Sequence, residues 1–146
     1  MQTVPATKAA MPSVAWQWKR FAELAPDELY ALLAARSAVF VVEQRCWFLD
    51  ADGVDPFAWH LLGWNGSARR SALVAYLRLI EPGRKYVEPS IGRVLTVAPM
   101  RGTGLGREAM RRGLERFYAE LGFRPASAPY EEDGILHVDM VRPADR

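Results

Sequence analysis

The first half of the chain carries two different spacings of apolar residues. Positions 14–18 alternate apolar with polar or small residues, which predicts a half-buried strand. Pro26–Arg36 has proline and acids in its first turn and an apolar face, which predicts a helix. Trp59–Trp64 and Ser71–Ile80 predict the two strands of a hairpin, because Asn65-Gly66 between them tolerates positive φ.

The second half predicts one buried strand and one long helix. Ile91–Val97 carries apolar residues on both faces, so we expect it to be a central strand. From Gly104 the spacing becomes helical, and Gly122 ends the helix. The predicted core stripe of this helix consists of Leu105, Ala109, Met110, Leu114, Phe117, Tyr118 and Leu121. With a last strand at Ile135–Val141, the order of elements predicts a mixed α/β fold in which helices flank a sheet.

The composition is that of one soluble domain. A length of 146 residues fits a single domain, which we place at residues 14–146 after a loose tail at residues 1–13. A hydrophobic fraction of 50% and a charged fraction of 25% are ordinary. The net charge of +2 is too small to indicate a nucleic-acid partner. No apolar run approaches the roughly 20 residues of a membrane span, and no signal peptide is visible, so we expect a cytoplasmic protein.

The candidate chemistry concentrates in a glycine-rich segment, Arg101–Arg107, called the glycine turn below. Glycine at positions 102, 104 and 106 lets the backbone come close to a ligand. The N–H groups of the following helix point into this turn, at the positive end of the helix dipole. Such an arrangement predicts an anion site, with pyrophosphate as its usual occupant. Arg107-Glu108 stands where a P-loop has Lys-Ser/Thr, and Arg107 stands where a dinucleotide fingerprint has its last glycine.

Basic residues surround the glycine turn: Arg101, Arg107, Arg111 and Arg112. Cations at a helix N-terminus are disfavoured by about 0.3–1 kcal/mol each, so phosphate contact explains them best, above all for the first two. A solvated basic face is the alternative, which the spacing of Glu108 and Arg112 supports for part of the cluster.

The pattern Arg101-x-x-Gly104-x-Gly106 after a strand resembles the coenzyme A pyrophosphate loop of the GNAT N-acetyltransferase superfamily. Further segments, in the family's order from about Phe21 to Met140, narrow the resemblance to the ElaA-like branch. These segments are Phe40–Cys46, His60–Gly63, Ala75–Leu79, Ile91–Val94, Phe117-Tyr118 with Gly122-Phe123, and Glu132–Ile135 with His137 and Met140. The resemblance implies a GNAT-type acyl-CoA N-acyltransferase fold with a mixed central sheet, acetyl-CoA as co-substrate and no metal.

The resemblance also assigns roles to residues. It implies that backbone groups near Leu95 and Val97 hold the pantetheine arm, and that the glycine turn binds pyrophosphate. The residues of that turn are Arg101, Gly102, Thr103, Gly104, Leu105, Gly106 and Arg107. Tyr118 is the candidate acid for the leaving thiolate, with core packing as the alternative.

The sequence does not identify a single general base. Four residues are chemically able to take the proton of an amine: Glu43, His60, Glu81 and His137. Glu43 is favoured as a substrate-facing carboxylate, because it follows four apolar residues and belongs to a motif of the family. The two histidines fall in predicted strands, where a hydrogen-bonded structural role is the commoner state.

The sequence departs from the family at one place. GNAT folds have a strand between the phosphate-loop helix and the Phe-Tyr helix, but here Arg116 runs straight into Phe117. We therefore expect one continuous helix and one missing strand. The first interpretation is an enzyme that moves an acetyl group to a primary amine of a small molecule or peptide. The alternative is an impaired module that binds CoA or a protein partner without turnover. The arginine cluster gives weaker support to a nucleic-acid-binding domain, and a homodimer is left open.

Two minor features complete the predictions. Asp50, Asp52 and Asp55 have the wrong spacing for a calcium loop, since glycine falls at the fourth position, so we expect a turn with local Asx-type hydrogen bonds. Cys46 has no second cysteine to pair with and no visible activating neighbour, so we expect a small buried apolar residue in a reducing compartment.

Overall fold

A four-stranded antiparallel sheet organises the protein. The computed structural model describes residues 12–66, 71–128, 130–132, 135–137 and 139–141. Its strands follow one another in chain order: β1 (Val14–Arg20), β2 (Ala58–Asn65), β3 (Ala72–Ile80) and β4 (Ser90–Thr96). Two α-helices accompany the sheet, α1 (Pro26–Arg36) and α2 (Leu105–Glu120). The mixed α/β class predicted from the sequence is confirmed.

The two helices cover opposite faces of the sheet. Leu62 packs in the cluster that holds Leu32 of α1, whereas its neighbour Leu61 packs against Ala109 of α2. Since successive side chains of a strand point to opposite faces, α1 and α2 form the outer two layers of a three-layer arrangement. Helical turns at Ser37–Glu43 extend α1, and the N–H of Gln44 donates to the carbonyl of Val39 at 2.9 Å. The apolar residues that precede Glu43 are therefore helical.

Strand β4 is not the central strand that its apolar pattern predicts. In the sheet of the described residues it forms an edge, paired with β3 alone. Its pairing also shifts: Tyr76 faces Leu95 and Arg78 faces Gly92, so one residue of β3 lies opposite two residues of β4. This is a β-bulge. The prediction failed because an apolar residue on each face fits an edge strand between two helices as well as a central strand.

Helix α2 is one uninterrupted element of 16 residues, as the missing strand predicts. Gly104 precedes it with a φ of 92°, and Gly122 follows it with a φ of 83°. The buried positions are Leu105, Ala109 and Gly113. The predicted stripe was too wide, because Leu114 and Tyr118 are exposed.

Short antiparallel pairs follow α2. Two two-residue strands pair with each other, β5 (Arg124–Pro125) and β8 (Met140–Val141), and so do β6 (Tyr130–Glu132) and β7 (Ile135–His137). The predicted last strand is thus divided between β7 and β8. Residues 133–134 of the family segment Glu132–Ile135, and most of the predicted tail at residues 1–13, lie outside the described residues.

The hairpin of β2 and β3 has the expected strands, displaced by one residue. Asn65, predicted to lie in the turn, belongs to β2 and pairs with Ala72 of β3. Within the described ranges, no helix is long and apolar enough to cross a membrane.

Candidate functional site

The glycine turn lies where β4 ends and α2 begins. The N–H of Val97 donates to the carbonyl of Val74 at 3.0 Å, which fixes the end of β4 against β3. Gly102 and Gly104 both have positive φ, 77° and 92°, which other residues adopt only with strain. The hydroxyl of Thr103 donates to the carbonyl of Met100 at 2.6 Å, so it stabilises the turn from within.

The backbone donors of this turn point beyond the helix. The first intrahelical bond of α2 runs from the N–H of Glu108 to the carbonyl of Gly104 at 3.0 Å. The N–H groups of Leu105, Gly106 and Arg107 precede it and therefore have no acceptor inside the helix. They lie at the positive end of the dipole of α2. These amides are suited to an anion, as the sequence predicts.

The structure brings together Glu43 and Arg101, two residues that the sequence singles out for different reasons. A guanidinium Nη1 of Arg101 lies 2.5 Å from Oε1 of Glu43, and each side chain is 44% exposed. The Nε of Arg101 also donates to the carbonyl of Thr96 at 3.1 Å, at the end of β4. The ion pair thus holds the carboxylate of Glu43 beside the glycine turn.

The predicted cluster of arginines divides into two kinds. Arg111 lies 2.7 Å from Glu108 and 2.5 Å from Glu115, and Arg112 lies 2.8 Å from Glu108. The hydrogen bond from Arg111 lowers the pKa of Glu108, despite partial burial. Arg107 is exposed and forms no ion pair within the described part of the chain. Of the four arginines in the predicted cluster, Arg107 is the one whose charge has no acidic partner among the described residues.

The remaining predicted residues lie at different distances from the turn. Leu95 is buried in the core with Tyr76, which leaves its backbone on the edge of the sheet. Tyr118 comes thirteen residues after Leu105 on the same helix, a rise of about 20 Å. Its ring is 39% exposed and contacts Phe117 and Phe123 edge to face. Tyr118 and the glycine turn therefore lie at opposite ends of α2.

Sequence reasoning missed a buried ionic network around Asp50–Asp55, called the aspartate loop below. Arg36 of α1 is fully buried: its Nε donates to Asp50 at 2.8 Å and its Nη1 to Asp55 at 2.7 Å. Arg78 of β3 is also buried and donates to Asp52 and Asp55 at 2.8 and 2.9 Å. Three arginines, with Arg93 of β4 as the third, match three aspartates. The network joins α1, the loop and two strands.

The local hydrogen bond expected in the aspartate loop is confirmed. The N–H of Val54 donates to Oδ1 of Asp52 at 3.2 Å. The carboxylates nevertheless make most of their contacts with arginines. The sequence did carry a signal for this. Arg78 stands within the apolar run of β3, and a charge inside such a run needs a buried partner.

The histidine in this network is structural, as predicted. His60 is buried, and its Nε2 lies 3.0 Å from the carbonyl of Asp55, which can only accept a hydrogen bond. Nε2 therefore carries the hydrogen, and Nδ1 accepts from the Tyr76 hydroxyl at 2.7 Å. Burial lowers the pKa of His60, so the ring is neutral near pH 7.

Arg36 and Arg78 favour the ionised forms of Asp52 and Asp55. Hydrogen bonds from Arg78 lower the pKa of Asp52 well below its usual range. Burial opposes ionisation of Asp55, but the hydrogen bonds and charges of Arg36 and Arg78 outweigh it and lower the pKa of that carboxyl too.

One other predicted candidate is engaged elsewhere, one lies outside the described side chains, and one prediction is wrong. Glu81, a candidate base, forms an ion pair with Arg20. The side chain of His137 lies outside the described residues. Cys46 is half-exposed, not buried, because the loop after the helical turns keeps it near the surface.

The chain is similar in sequence to known proteins over most of its length. It is 39% identical to a UPF0039 protein of Synechocystis, over 86% of this chain and 93% of the relative. It is 36% identical to protein ElaA of Escherichia coli, over 88% of this chain and 96% of the relative. No family model matches the chain.

Solved structures agree with these sequences. The crystal structure of Escherichia coli ElaA superposes with a TM-score of 0.63 at 35% identity, covering 90% of this chain and 100% of that one. An acyl-CoA N-acyltransferase from Pseudomonas aeruginosa gives the same values. The fold is therefore that of the acyl-CoA N-acyltransferases.

The relatives are longer inside the matched region. The alignment with the Escherichia coli protein extends over 151 positions, yet 88% of 146 residues is only about 128, so roughly twenty positions of the relative face a gap here. The sequence predicts a missing strand between Arg116 and Phe117, and both residues lie within the uninterrupted α2. We therefore assign the gap to this region. With more than a third of its positions identical over nearly its whole length, the chain belongs to the ElaA-like (UPF0039) branch of the GNAT superfamily.

Proposed function

We propose that the protein is an N-acetyltransferase that moves an acetyl group from acetyl-CoA to a primary amine. The observation that carries the proposal is the glycine turn. It combines three helix N–H groups without an intrahelical acceptor and the unmatched charge of Arg107. The pyrophosphate of CoA supplies the anion that these donors lack. The name of the similar Pseudomonas aeruginosa structure, an acyl-CoA N-acyltransferase, supports the same class of reaction.

The edge position of β4 supports the rest of the arrangement. Beside the glycine turn, the backbone near Leu95 and Val97 lies at the edge of the sheet. The N–H of Val97 is paired with Val74 of β3, and the carbonyl of Thr96 accepts from Arg101. The other N–H and C=O groups that face away from β3 are suited to the amide groups of a pantetheine arm, much as they would pair with another strand. The thioester then lies along β4, and the pyrophosphate lies at the N-terminus of α2.

The reaction needs two proton transfers. The amine nitrogen attacks the thioester carbonyl, a C–N bond forms, the C–S bond breaks, and the amine loses a proton while the thiolate gains one. Glu43 is the proposed substrate-facing carboxylate. Its ion pair with Arg101 holds it beside the glycine turn, so this pair must break for Glu43 to reach a thioester near Tyr118. Tyr118 is the proposed acid. For Tyr118 to serve, the acyl arm must run along α2 from the glycine turn toward its far end.

The continuous α2 favours a second candidate function. The relatives carry about twenty positions that this chain lacks. A chain without them keeps the glycine turn and loses part of the surface that would hold the thioester. This supports a module that binds CoA without turnover.

One experiment separates the two functions. We expect acetyl-CoA to stabilise the protein by about 2.7 kcal/mol at one hundred times its Kd, as any ligand of the folded state does. Release of free thiol is then measured with a panel of primary amines. Stabilisation with turnover supports the enzyme, and stabilisation without turnover for any amine supports the binding module. No stabilisation at millimolar acetyl-CoA contradicts both.

The role of Tyr118 is tested separately. Tyr118→Phe keeps the ring that contacts Phe117 and Phe123 and removes only the hydroxyl. If the hydroxyl protonates the thiolate, CoA binding persists and turnover falls by about 10²–10⁴-fold. Unchanged turnover makes Tyr118 a packing residue.

A further inference from the structure

The bulge of β4 contains a residue in an unusual conformation. Arg93 has a φ of 51°, in the left-handed region that side chains rarely adopt. It lies in the bulge, between Gly92, which faces Arg78, and Leu95, which faces Tyr76. A residue with a Cβ stays in this conformation only when its surroundings hold it there.

The side chain of Arg93 supplies that restraint. Its Nε donates to Oδ1 of Asp50 at 2.8 Å, and its Nη2 to the carbonyl of Asp50 at 3.2 Å. Its Nη2 also lies 3.4 Å from Oδ2 of Asp52. The guanidinium carbon lies over the ring of Phe48, 5.0 Å from the ring centre. The side chain is mostly buried.

The partners of Arg93 are themselves fixed. Asp50 accepts from buried Arg36 through its side chain at 2.8 Å and through its carbonyl at 2.7 Å. Asp52 accepts two hydrogen bonds from buried Arg78, each at 2.8 Å. The aspartate loop is therefore a rigid anchor, and the bulge is attached to it by three polar contacts.

The bulge held by this anchor is close to the proposed binding site. It lies directly before Leu95–Val97, the stretch of β4 whose backbone edge would receive the acyl arm of CoA. A bulge increases the local twist of a strand and redirects the groups that follow it. We infer that Arg93 is a positioning residue, which, through Asp50 and Asp52, fixes the bulge so that the edge of β4 presents its backbone to the acyl arm. This inference rests on the proposed function.

The test compares a ligand that has the acyl arm with one that lacks it. Acetyl-CoA can contact both the glycine turn and the edge of β4, whereas ADP offers only a nucleotide and its pyrophosphate. Both are titrated into the wild-type protein by calorimetry, and the ratio of the two Kd values measures what the arm contributes. A role limited to stability would change both affinities together and leave this ratio unchanged.

Arg93→Gly is the informative variant, because glycine accepts positive φ without strain while the anchor is lost. We expect its affinity for ADP to stay within about twofold. Its affinity for acetyl-CoA should fall roughly three- to tenfold for each backbone hydrogen bond of the arm that is lost. Arg93→Lys keeps a positive charge, so its ratio of the two Kd values should lie between those of Arg93→Gly and the wild-type protein. Should Arg93→Gly not fold, Arg93→Lys alone tests the inference, with a smaller drop in the ratio.

Arg45→Gly is the matched control. Arg45 has nearly the same φ, 54°, but is exposed and lies outside the network. Its variant should keep the wild-type ratio. An unchanged ratio in both Arg93 variants overturns the inference and leaves the proposed function intact. A wild-type protein that does not bind acetyl-CoA overturns both.

Discussion

The aspartate loop and the glycine turn both carry charge beside β4, but they differ in whether that charge is matched. In the aspartate loop, Arg36, Arg78 and Arg93 meet three carboxylates at close range. In the glycine turn, Arg101 pairs with Glu43, but the backbone donors and the exposed Arg107 have no acid against them within the described residues. The difference teaches that a buried charge depends on its partner, because an uncompensated charge inside the protein is strongly unfavourable, whereas charge left unmatched at a surface is available for a ligand.

The largest expected effect comes from unbalancing the aspartate loop. Asp55→Asn removes the charge that both Arg36 and Arg78 contact, and leaves an excess positive charge in a buried place. We expect the free energy of unfolding in urea to fall by about 3–5 kcal/mol. Asp27→Asn, an exposed acid in the first turn of α1, is the control and should lose less than about 1 kcal/mol. Similar losses of unfolding free energy in the two variants would mean that the buried network depends on its charges no more than an exposed helix terminus does.

The second effect concerns ligand binding without loss of the fold. Gly106→Val adds a branched side chain in the first turn of α2, next to the donors proposed for pyrophosphate. We expect CoA affinity to fall by about a hundredfold, as for two charge-assisted hydrogen bonds of about 1.5 kcal/mol each. Calorimetry with CoA, together with urea unfolding, measures both properties.

Gly113, on the same helix, should show the reverse behaviour: loss of stability with normal CoA binding. A Cβ there would lie 2.8 Å from a methyl carbon of Leu77. Gly113→Ala should therefore lower stability while the folded protein binds CoA normally. If Gly106→Val and Gly113→Ala change CoA affinity and the free energy of unfolding to the same extent, the glycine turn is not a separate binding site.

The third effect is a dependence of stability on pH. The pKa of His60 is lowered in the folded state by burial, whereas the unfolded chain has the ordinary value of about 6.5. The unfolded state therefore takes up a proton first as pH falls, and stability decreases below about pH 6.5, by at most about 1.4 kcal/mol per pH unit. A further decrease follows below about pH 4, since the pKa values of Asp52 and Asp55 are lowered as well. Urea unfolding from pH 8 to about pH 2.5 measures both decreases, and His60→Gln should remove the one that begins near pH 6.5.

The smallest effect separates the arginines of α2. Arg107→Ala should weaken CoA binding roughly three- to tenfold, the value of an exposed ion pair of about 1 kcal/mol. Arg111→Ala should change it little, because Glu108 and Glu115 already neutralise Arg111. Equal losses would mean that the whole arginine cluster contacts phosphate.

Local patterns were enough to predict most elements and the glycine turn. The alternation at 14–18 and the proline and acids at Pro26–Glu28 depend on neighbours in the chain, and β1 and α1 lie where they predict. The edge position of β4 was not predictable in this way, because it depends on which strand comes next to it in space.

The ionic network escaped prediction for a related reason. Asp50 meets Arg36 and Arg93 across separations of 14 and 43 residues. Only the register of β3 against β4 and the docking of α1 bring these charges together. A lone acid-rich loop, taken by itself, is typical of a turn, and the sequence pattern does not say which arginines complete it.

The ionic network also sets an order for folding. Strands β2, β3 and β4 are neighbours in the chain, so their contacts close short loops and can form early. The network needs α1, the aspartate loop and both β3 and β4 in place, and therefore forms after them. Interactions absent from the transition state slow unfolding without speeding folding. Stopped-flow measurements on Asp55→Asn should then find faster unfolding and nearly unchanged refolding, which makes the aspartate loop a determinant of how long the native state lasts.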